Sequence, residues 1–274
     1  IAGLGGRAAL LSGISTDTLG TRLYDQLIAR GVDTRFLLRS DRPTALLLVG
    51  LDPSGHPDFT FYGENTADCT LTTVQMPDLT EEIEALHLAS YPLVVEPVAS
   101  ALAELLGRAD GRFVSLDPNV RPTIAPDMSA WRRGIEELYP RADLIKVSTE
   151  DLGHLHPGET PRDIARNWAR SGPGLVVLTD GPGPLTAYIG ETEITVQPPE
   201  VSVADTVGAG DALMAALLTQ MQRRSAFQHG LRAIPTDDLK RMLEVAAVIV
   251  AQTCATSGAR LPERARDLLA PSGL

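Results

Sequence analysis

The residues best suited to chemistry lie in one string from Asp205 to Asp211, which reads Asp-Thr-Val-Gly-Ala-Gly-Asp. The small residues at 208–210 leave backbone N–H groups uncovered, directly before an apolar stretch with helical spacing. N–H groups at a helix start, together with the helix dipole, bind anions. Asp211 then lies in the first turn, where its carboxylate can accept a proton from a substrate hydroxyl. The string therefore indicates phosphoryl transfer, with a simple helix cap as the alternative.

Three further polar segments each follow an expected strand, at residues 117–119, 146–151 and 179–183. Ligands of open α/β sheets bind beyond the carboxyl ends of the strands, so these segments are candidate parts of the same site. An Asp-Pro-Asn turn and an acidic helix cap also arise for structural reasons alone. That alternative stays open for the first two segments.

Alternating strands and helices are expected to position these segments. Short apolar runs predict buried strands at 7–12, 113–116, 144–147 and 175–179. Apolar residues at helical spacing predict helices at 18–30, 100–108, 130–138, 163–170, 209–222 and 239–253. Repeated strand–helix units predict one α/β domain over residues 1–274, with a mostly parallel central sheet and helices on both faces.

A β-hairpin within residues 40–64 interrupts this alternation. Residues 45–49 and 59–62 are rich in β-forming types, and the Asp-Pro-Ser-Gly sequence at 52–55 is typical of a turn between strands. We expect the hairpin to project from the α/β domain.

Composition excludes several classes of protein. The net charge of −11 and an aromatic content of 4% argue against a nucleic-acid binder, which needs basic and stacking surface. Apolar runs are far shorter than the roughly 20 residues that span a membrane. Cys69 and Cys254 lie outside any Cys-x-x-Cys spacing, which argues against a disulfide framework or structural zinc and favours a cytoplasmic location.

With these motifs in place, the chain resembles the ribokinase/PfkB family of sugar kinases over essentially its whole length. Residues 205–211 match the family signature D-T-x-G-A-G-D, and residues 13–20 are similar to its G-x-D-x-x-G segment. Residues 116–122 and 145–148 are most similar to the fructokinase branch. The resemblance implies a ribokinase-like three-layer sandwich with a small β lid, to which the hairpin belongs. It also implies a first strand and a Gly-Gly…Asn segment before Ile1.

The resemblance also implies roles for particular residues. Asp211 is the expected general base that deprotonates the sugar hydroxyl, and the expected anion hole is formed by Gly208, Ala209 and Gly210. Nucleotide contacts are expected from Lys146, Thr179, Gly181, Thr206, Gly208, Gly210 and Gly258. Besides Asp211, the expected sugar contacts are Asn119, Arg121 and Phe61. Glu150 or Asp151 is expected to organise Mg²⁺ through water, with an ordinary cap as the equal alternative.

The expected activity is ATP-dependent phosphorylation of fructose to fructose 6-phosphate. Magnesium is the expected metal, a monovalent cation is an optional activator, and a homodimer through the lid is an optional assembly. Kinases of 2-keto-3-deoxygluconate tend to carry Arg in the lid, whereas this chain has Gly63 and Glu64, which favours a neutral sugar. The alternatives are a 2-keto-3-deoxygluconate kinase, a ribokinase, or a non-catalytic relative that binds sugar or nucleotide.

Overall fold

Strands and helices alternate through most of the chain in this computed structural model, which describes residues 1–51, 57–258, 260–262 and 264–269. The strands are β1 (Ser12–Ser15), β2 (Leu37–Ser40), β3 (Leu46–Leu51), β4 (Pro57–Tyr62), β5 (Ala85–Ala89), β6 (Phe113–Asp117), β7 (Leu144–Ser148), β8 (Leu175–Thr179), β9 (Leu185–Ile189) and β10 (Thr192–Val196). The helices are α1 (Thr18–Ala29), α2 (Val98–Gly107), α3 (Met128–Leu138), α4 (Thr149–Leu155), α5 (Pro161–Ser171), α6 (Ala209–Arg223), α7 (Ala226–His229), α8 (Thr236–Cys254) and α9 (Ala265–Leu268).

A six-stranded sheet forms the centre of the molecule, in the order β10-β9-β8-β7-β6-β5. Strands β5 to β8 run parallel, whereas β9 and β10 are antiparallel to their neighbours. Two small sheets stand beside it, the parallel pair β1–β2 and the hairpin β3–β4. Because parallel strands end at one edge, the loops that follow β5, β6, β7 and β8 gather there.

Helices cover both faces of the central sheet. Leu144 and Leu175 share one buried cluster with residues of α6 and α8, whereas the next residues, Ile145 and Val176, share another with α3 and α5. This alternation follows from the two-residue period of a strand. Burying one such side chain contributes about 1.5–3 kcal/mol, so both faces contribute to stability. The expected three-layer arrangement of helices, sheet and helices is confirmed.

Short polar side chains begin several helices. Asp17 accepts a hydrogen bond from Gly20 N at the start of α1, and Asp127 accepts bonds from Ser129 N and Ala130 N at the start of α3. Ser148 caps α4 by accepting from Asp151 N. Each cap satisfies N–H groups that have no partner inside the helix.

The sequence expectations hold for most elements and fail at identifiable places. The strand predicted at 7–12 is wrong for most of its length, because the ladder with β2 begins only where Ser12 pairs with Leu37. Upstream, Ala9 forms a single bridge with Asp33. Sequence patterns also missed β2, β5, β9 and β10, where polar residues interrupt the apolar runs. The hairpin is confirmed with longer strands, and its predicted turn at 52–55 lies outside the described residues.

None of the helices within the described residues combines the length and the apolar character needed to cross a bilayer. Cys69 and Cys254 are both free thiols.

Candidate active site

Four polar or strained positions lie at the carboxyl edge of the central sheet. Asp117 ends β6, Ser148 ends β7 and Thr179 ends β8, while Ser90 follows the last residue of β5. The ladder places Ser148 directly beside Thr179. The segments that were separate in the sequence are therefore neighbours in space.

A buried ion pair lies at the centre of this edge. Lys146 Nζ lies 3.1 Å from Asp117 Oδ1 and 3.0 Å from Asp117 Oδ2. The two side chains are only 7% and 5% exposed. Burial raises the pKa of the Asp117 carboxyl, and the Lys146 ammonium opposes that shift. The charges of Asp151 and Asp211 also raise the Asp117 pKa, so both carboxylates act on this pair electrostatically.

Residues 205–210, which we call the anion loop after the role expected from the sequence, lead directly into α6. Gly208 caps the helix with φ of 83°, a left-handed conformation that costs other residues energy. Ala209 and Gly210 form the first positions of the helix, and Asp211 lies exposed in its first turn. Among the described residues, Gly208 N and Gly210 N have no hydrogen-bond partner and lie near the Asp211 carboxylate, whereas Ala209 N is already engaged, so the structure shows only part of the arrangement that the motif predicted. Thr206 is exposed, and its carbonyl oxygen accepts a bond from Ala209 N.

Asp205 connects the anion loop to the end of α8. Its Oδ1 accepts from Val207 N at 2.9 Å, and its Oδ2 accepts from Gly258 N at 3.1 Å. Asp205 N also donates to Cys254 O at 3.1 Å. The motif contained Asp205, but the sequence assigned it no role, because its partners at 254 and 258 are about fifty residues away. Gly258 is thereby held against the anion loop.

Asp151 and Glu150 occupy very different surroundings. Asp151 is buried, and its carboxylate accepts bonds from Val120 N at 2.7 Å, Ser148 N at 3.0 Å and Ser148 Oγ at 2.7 Å. The bonds with Ser148 form a capping box at the start of α4. The bond from Val120 N fastens the loop after β6 to the same place. The Glu150 side chain is 80% exposed, which leaves it available to water and ions.

Ser90 and Asn119 are strained residues at the ends of neighbouring strands. Asn119 has φ of 42°, and Ser90 has φ of 64° with ψ of −161°, a region that is populated almost only by glycine. Asn119 Nδ2 donates to Ser90 Oγ at 3.2 Å, and Ser90 N donates to Asp117 O at 3.1 Å. Such strain is typical of functional sites. The nearby Arg121 is exposed and donates to the Val120 carbonyl oxygen.

The loop after β8 is fastened to the start of α4. Thr149 Oγ1 donates to Asp180 Oδ1 at 2.8 Å, and Gly183 N donates to Asp180 O at 2.7 Å. Thr179 and Gly181 flank this Asp180. They therefore lie at the same sheet edge as Ser148, at the ends of the paired strands β7 and β8.

The hairpin contacts the sheet edge through aromatic rings. Phe61 packs edge-on against Tyr91, with ring centroids 5.7 Å apart, and the Tyr91 hydroxyl donates to Asp68 Oδ2. Burial, with the Asp68 carboxylate, raises the pKa of Tyr91. At the base of the hairpin, Thr44 N and Thr44 Oγ1 both donate to the Asp17 carboxylate.

The donors present fit a nucleotide phosphate better than a metal cage. In the described ranges, no group of three or more His, Cys, Asp or Glu side chains could hold a metal ion. Mg²⁺ needs no such group, since it keeps several waters and binds mainly through phosphates and one or two carboxylates. A helix N-terminus over a buried lysine suits phosphate oxygens.

The fold and this site define an α/β phosphotransferase with its anion loop at the carboxyl edge of a parallel sheet. The sequence model of the pfkB family carbohydrate kinases matches residues 1–266, and the chain belongs to that family. It is therefore a sugar kinase by family. The ribokinase-like fold expected from the sequence is confirmed by solved relatives.

Individual relatives sharpen this assignment. A fructokinase of Rhizobium leguminosarum bv. trifolii is 34% identical over 220 residues, which are 80% of this chain and 67% of the relative. A 2-dehydro-3-deoxygluconokinase of Bacillus subtilis (strain 168) is 32% identical over 246 residues, 84% of this chain and 74% of the relative. The crystal structure of fructokinase with bound ATP from Xylella fastidiosa has a TM-score of 0.83 at 26% identity, covering 94% of this chain and 82% of that one.

Proposed function

We propose that this protein is an ATP-dependent fructokinase that converts fructose to fructose 6-phosphate. The observation that carries the proposal is the Gly208-capped start of α6, with Asp211 in its first turn and buried Lys146 beneath it. Similarity to fructokinases of several organisms supports the choice of sugar.

Asp211 acts as the general base in this proposal. Its carboxylate takes the proton from the sugar hydroxyl as that oxygen attacks the γ-phosphorus of ATP, and the bond to the β-phosphate oxygen breaks to release ADP. The N–H groups of Gly208 and Gly210 stabilise the negative charge that spreads over the transferring group, whereas Ala209 N is engaged by Thr206 O. An exposed Asp211 is accessible to a sugar hydroxyl, whereas buried Asp117 is not.

Nucleotide and metal are held by the surrounding loops. Lys146 and Thr206 serve the phosphates, while Thr179, Gly181 and Gly258 border the nucleotide. Magnesium is organised through water by Glu150. Because Asp151 uses both carboxylate oxygens in bonds to Val120 and Ser148, we favour Glu150 over Asp151 for this role. A monovalent cation is an optional activator.

The sugar lies between the sheet edge and the hairpin. Asn119 and Arg121 approach it from the loop after β6, and Phe61 from the hairpin. Support comes from the strain shared by Asn119 and Ser90 and from the Phe61–Tyr91 contact, which brings the hairpin to this edge. The lid excludes water, so that ATP is not hydrolysed.

The experiment is a coupled assay of ADP release with ATP, Mg²⁺ and a panel of sugars. We expect turnover with fructose, and we expect the product to carry its phosphate on the sixth carbon. Potassium and sodium salts are compared in the same assay. A protein that binds ADP yet turns over none of the sugars would instead be the non-catalytic relative, and the proposal would be wrong.

A second candidate is a 2-keto-3-deoxygluconate kinase. The Bacillus subtilis relative favours it, and exposed Arg121 offers a cation for a sugar carboxylate. Higher kcat/KM for 2-keto-3-deoxygluconate than for fructose would select it. Ribose in the same panel tests the ribokinase alternative.

The proposal also covers the oligomeric state of the protein and its location in the cell. Leu46, Leu48 and Tyr62 share one face of the hairpin and are 40%, 54% and 57% exposed. An apolar face of this kind favours a homodimer through the lid. The two free thiols favour a reducing, cytoplasmic location.

A further inference from the structure

The Lys146 ammonium lies directly beneath the anion loop. A β-carbon added at Gly210 would lie 2.9 Å from Lys146 Nζ and 3.9 Å from Asp117 Oδ2. A contact of 2.9 Å is shorter than real β-carbons tolerate, so the ammonium occupies the space that a side chain at 210 would fill. Glycine at this position therefore allows the ammonium to approach the loop.

Asp117 holds that ammonium in place. In the described part of the chain, the two Asp117 oxygens are the hydrogen-bond partners of Lys146 Nζ. An ammonium has three N–H donors, and the carboxylate uses two of them. The third remains for a ligand at the loop.

The surroundings of Asp117 fix its carboxylate. Asp117 ends β6, its backbone carbonyl accepts from Ser90 N, and Val120 after it donates to Asp151. A long lysine side chain alone would sample several rotamers, each of which places the charge elsewhere. A buried partner on the neighbouring strand removes that freedom.

We propose that Asp117 is a positioning residue, which holds the Lys146 ammonium beneath Gly210 so that its charge meets the transferring phosphoryl group. This inference rests on the proposed kinase function, because it assigns Lys146 to the same phosphoryl site. Asp117 is buried, so this proposal gives it no contact with sugar or nucleotide. It acts on the reaction only through Lys146, and that dependence can be measured.

The test is a double-mutant cycle with Asp117→Asn, Lys146→Met and the double variant. Removing a preorganised donor from a charged site costs about 10²–10³ in kcat, so we expect a loss of that order for Lys146→Met. We expect a loss of about tenfold for Asp117→Asn, since a mispositioned charge keeps part of its effect. The double variant should turn over as Lys146→Met does, with the KM for fructose unchanged throughout.

A matched control is Asp143→Asn. Asp143 is a half-buried carboxylate at the opposite end of β7, where its Oδ2 accepts from Val114 N at 2.8 Å. We expect this variant to lose thermal stability and keep kcat. If Asp117→Asn behaves like the control, or if its loss multiplies that of Lys146→Met, the positioning role is wrong.

If Asp117→Asn does not fold, a second double-mutant cycle, with Gly210→Ala and Lys146→Met, replaces the first. Gly210→Ala keeps both members of the ion pair but places a β-carbon 2.9 Å from Lys146 Nζ, so the ammonium must shift and we expect about a tenfold loss of kcat in the wild-type background. In the Lys146→Met background the same substitution should leave kcat unchanged. An equal loss in both backgrounds overturns the inference.

The two hypotheses fail in different ways. Absence of sugar-dependent ADP release from both wild type and Asp143→Asn contradicts the kinase proposal. In that case the first cycle is measured by the affinity for a non-hydrolysable ATP analogue in titration calorimetry, since ADP lacks the phosphoryl group that Lys146 is proposed to meet, and the same non-additivity is expected. Additive effects on the affinity for this analogue then contradict the positioning role by itself.

Discussion

The carboxyl edge of the central sheet and the β3–β4 hairpin differ in how their residues are supported. At the sheet edge, Lys146 and Asp117 are buried and paired, and Asp151 accepts three hydrogen bonds. On the hairpin, Leu47 and Leu48 are 51% and 54% exposed. A two-stranded hairpin is only marginally stable by itself, whereas a sheet covered on both faces is rigid. The residues proposed for the chemistry therefore lie in the supported region, and the residues proposed to cover the sugar lie on the less supported hairpin.

The largest effect is expected at the sheet edge, from Asp211→Asn. The amide keeps the shape of the side chain but cannot accept the proton, so kcat should fall about 10²–10⁴-fold. Thermal stability should stay unchanged, because Asp211 is exposed. Steady-state kinetics and a melting curve measure both.

The matched control for this prediction is Asp237→Asn, an exposed acid in the first turn of α8. It should keep full activity. Near-normal turnover of Asp211→Asn would show that Asp211 is not the general base. It would also contradict the placement of the catalytic residues at the sheet edge.

The second prediction compares the stability of the two regions directly. Leu144 is fully buried in the sheet, so Leu144→Ala should lower the free energy of unfolding by about 2–5 kcal/mol. Leu47→Ala on the hairpin should change it by less than about 0.5 kcal/mol. Urea unfolding of both variants measures the difference, and equal losses would show that the hairpin is as well packed as the sheet.

The third prediction concerns the exposed face of the hairpin. Leu48→Glu places a charge among Leu46 and Tyr62, so it should convert a homodimer into monomers. Sedimentation velocity of wild type and variant measures this change. A wild-type protein that stays monomeric at all concentrations would contradict the dimer.

The smallest effect is expected from pH at the base of the hairpin. Bonds from Gly20 N and from Thr44 hold the pKa of Asp17 well below its usual range. The ionised carboxylate therefore stabilises the folded state above the unfolded pKa of about 3.9, and this contribution is lost as the pH falls towards the folded value.

Asp17→Asn should thus melt at a lower temperature than wild type at pH 7, and the difference should shrink below about pH 4. Asp25→Asn, an exposed acid on the same helix, is the control and should show no such difference. If the difference in melting temperature between Asp17→Asn and wild type stays constant down to pH 3, the lowered pKa of Asp17 is contradicted.

Several expectations from the sequence depended on short-range patterns, and these were confirmed. Apolar periodicity predicted the strands at 113–116, 144–147 and 175–179 and the helices at 209–222 and 239–253, and the structure has each of them with bounds that differ by at most three residues. The start of α6 follows from small residues at 208–210 and the acid at 211, because a helix cap depends on neighbours in sequence. The roles given to the site residues remain predictions.

The sequence by itself determined the α/β class, the anion loop and the position of Asp211. Tertiary structure decided what no local pattern contains: that Asp117 pairs with Lys146, that Asp205 bridges to Gly258, and that Asn119 bonds to Ser90. The Asp117–Lys146 and Asn119–Ser90 partners are 29 residues apart and meet because parallel strands bring their carboxyl ends to one edge. Asp205 and Gly258 are 53 residues apart and meet because α6 and α8 pack together in one buried cluster. A local pattern specifies an element, and the assembly of elements specifies which charges lie within reach of one another.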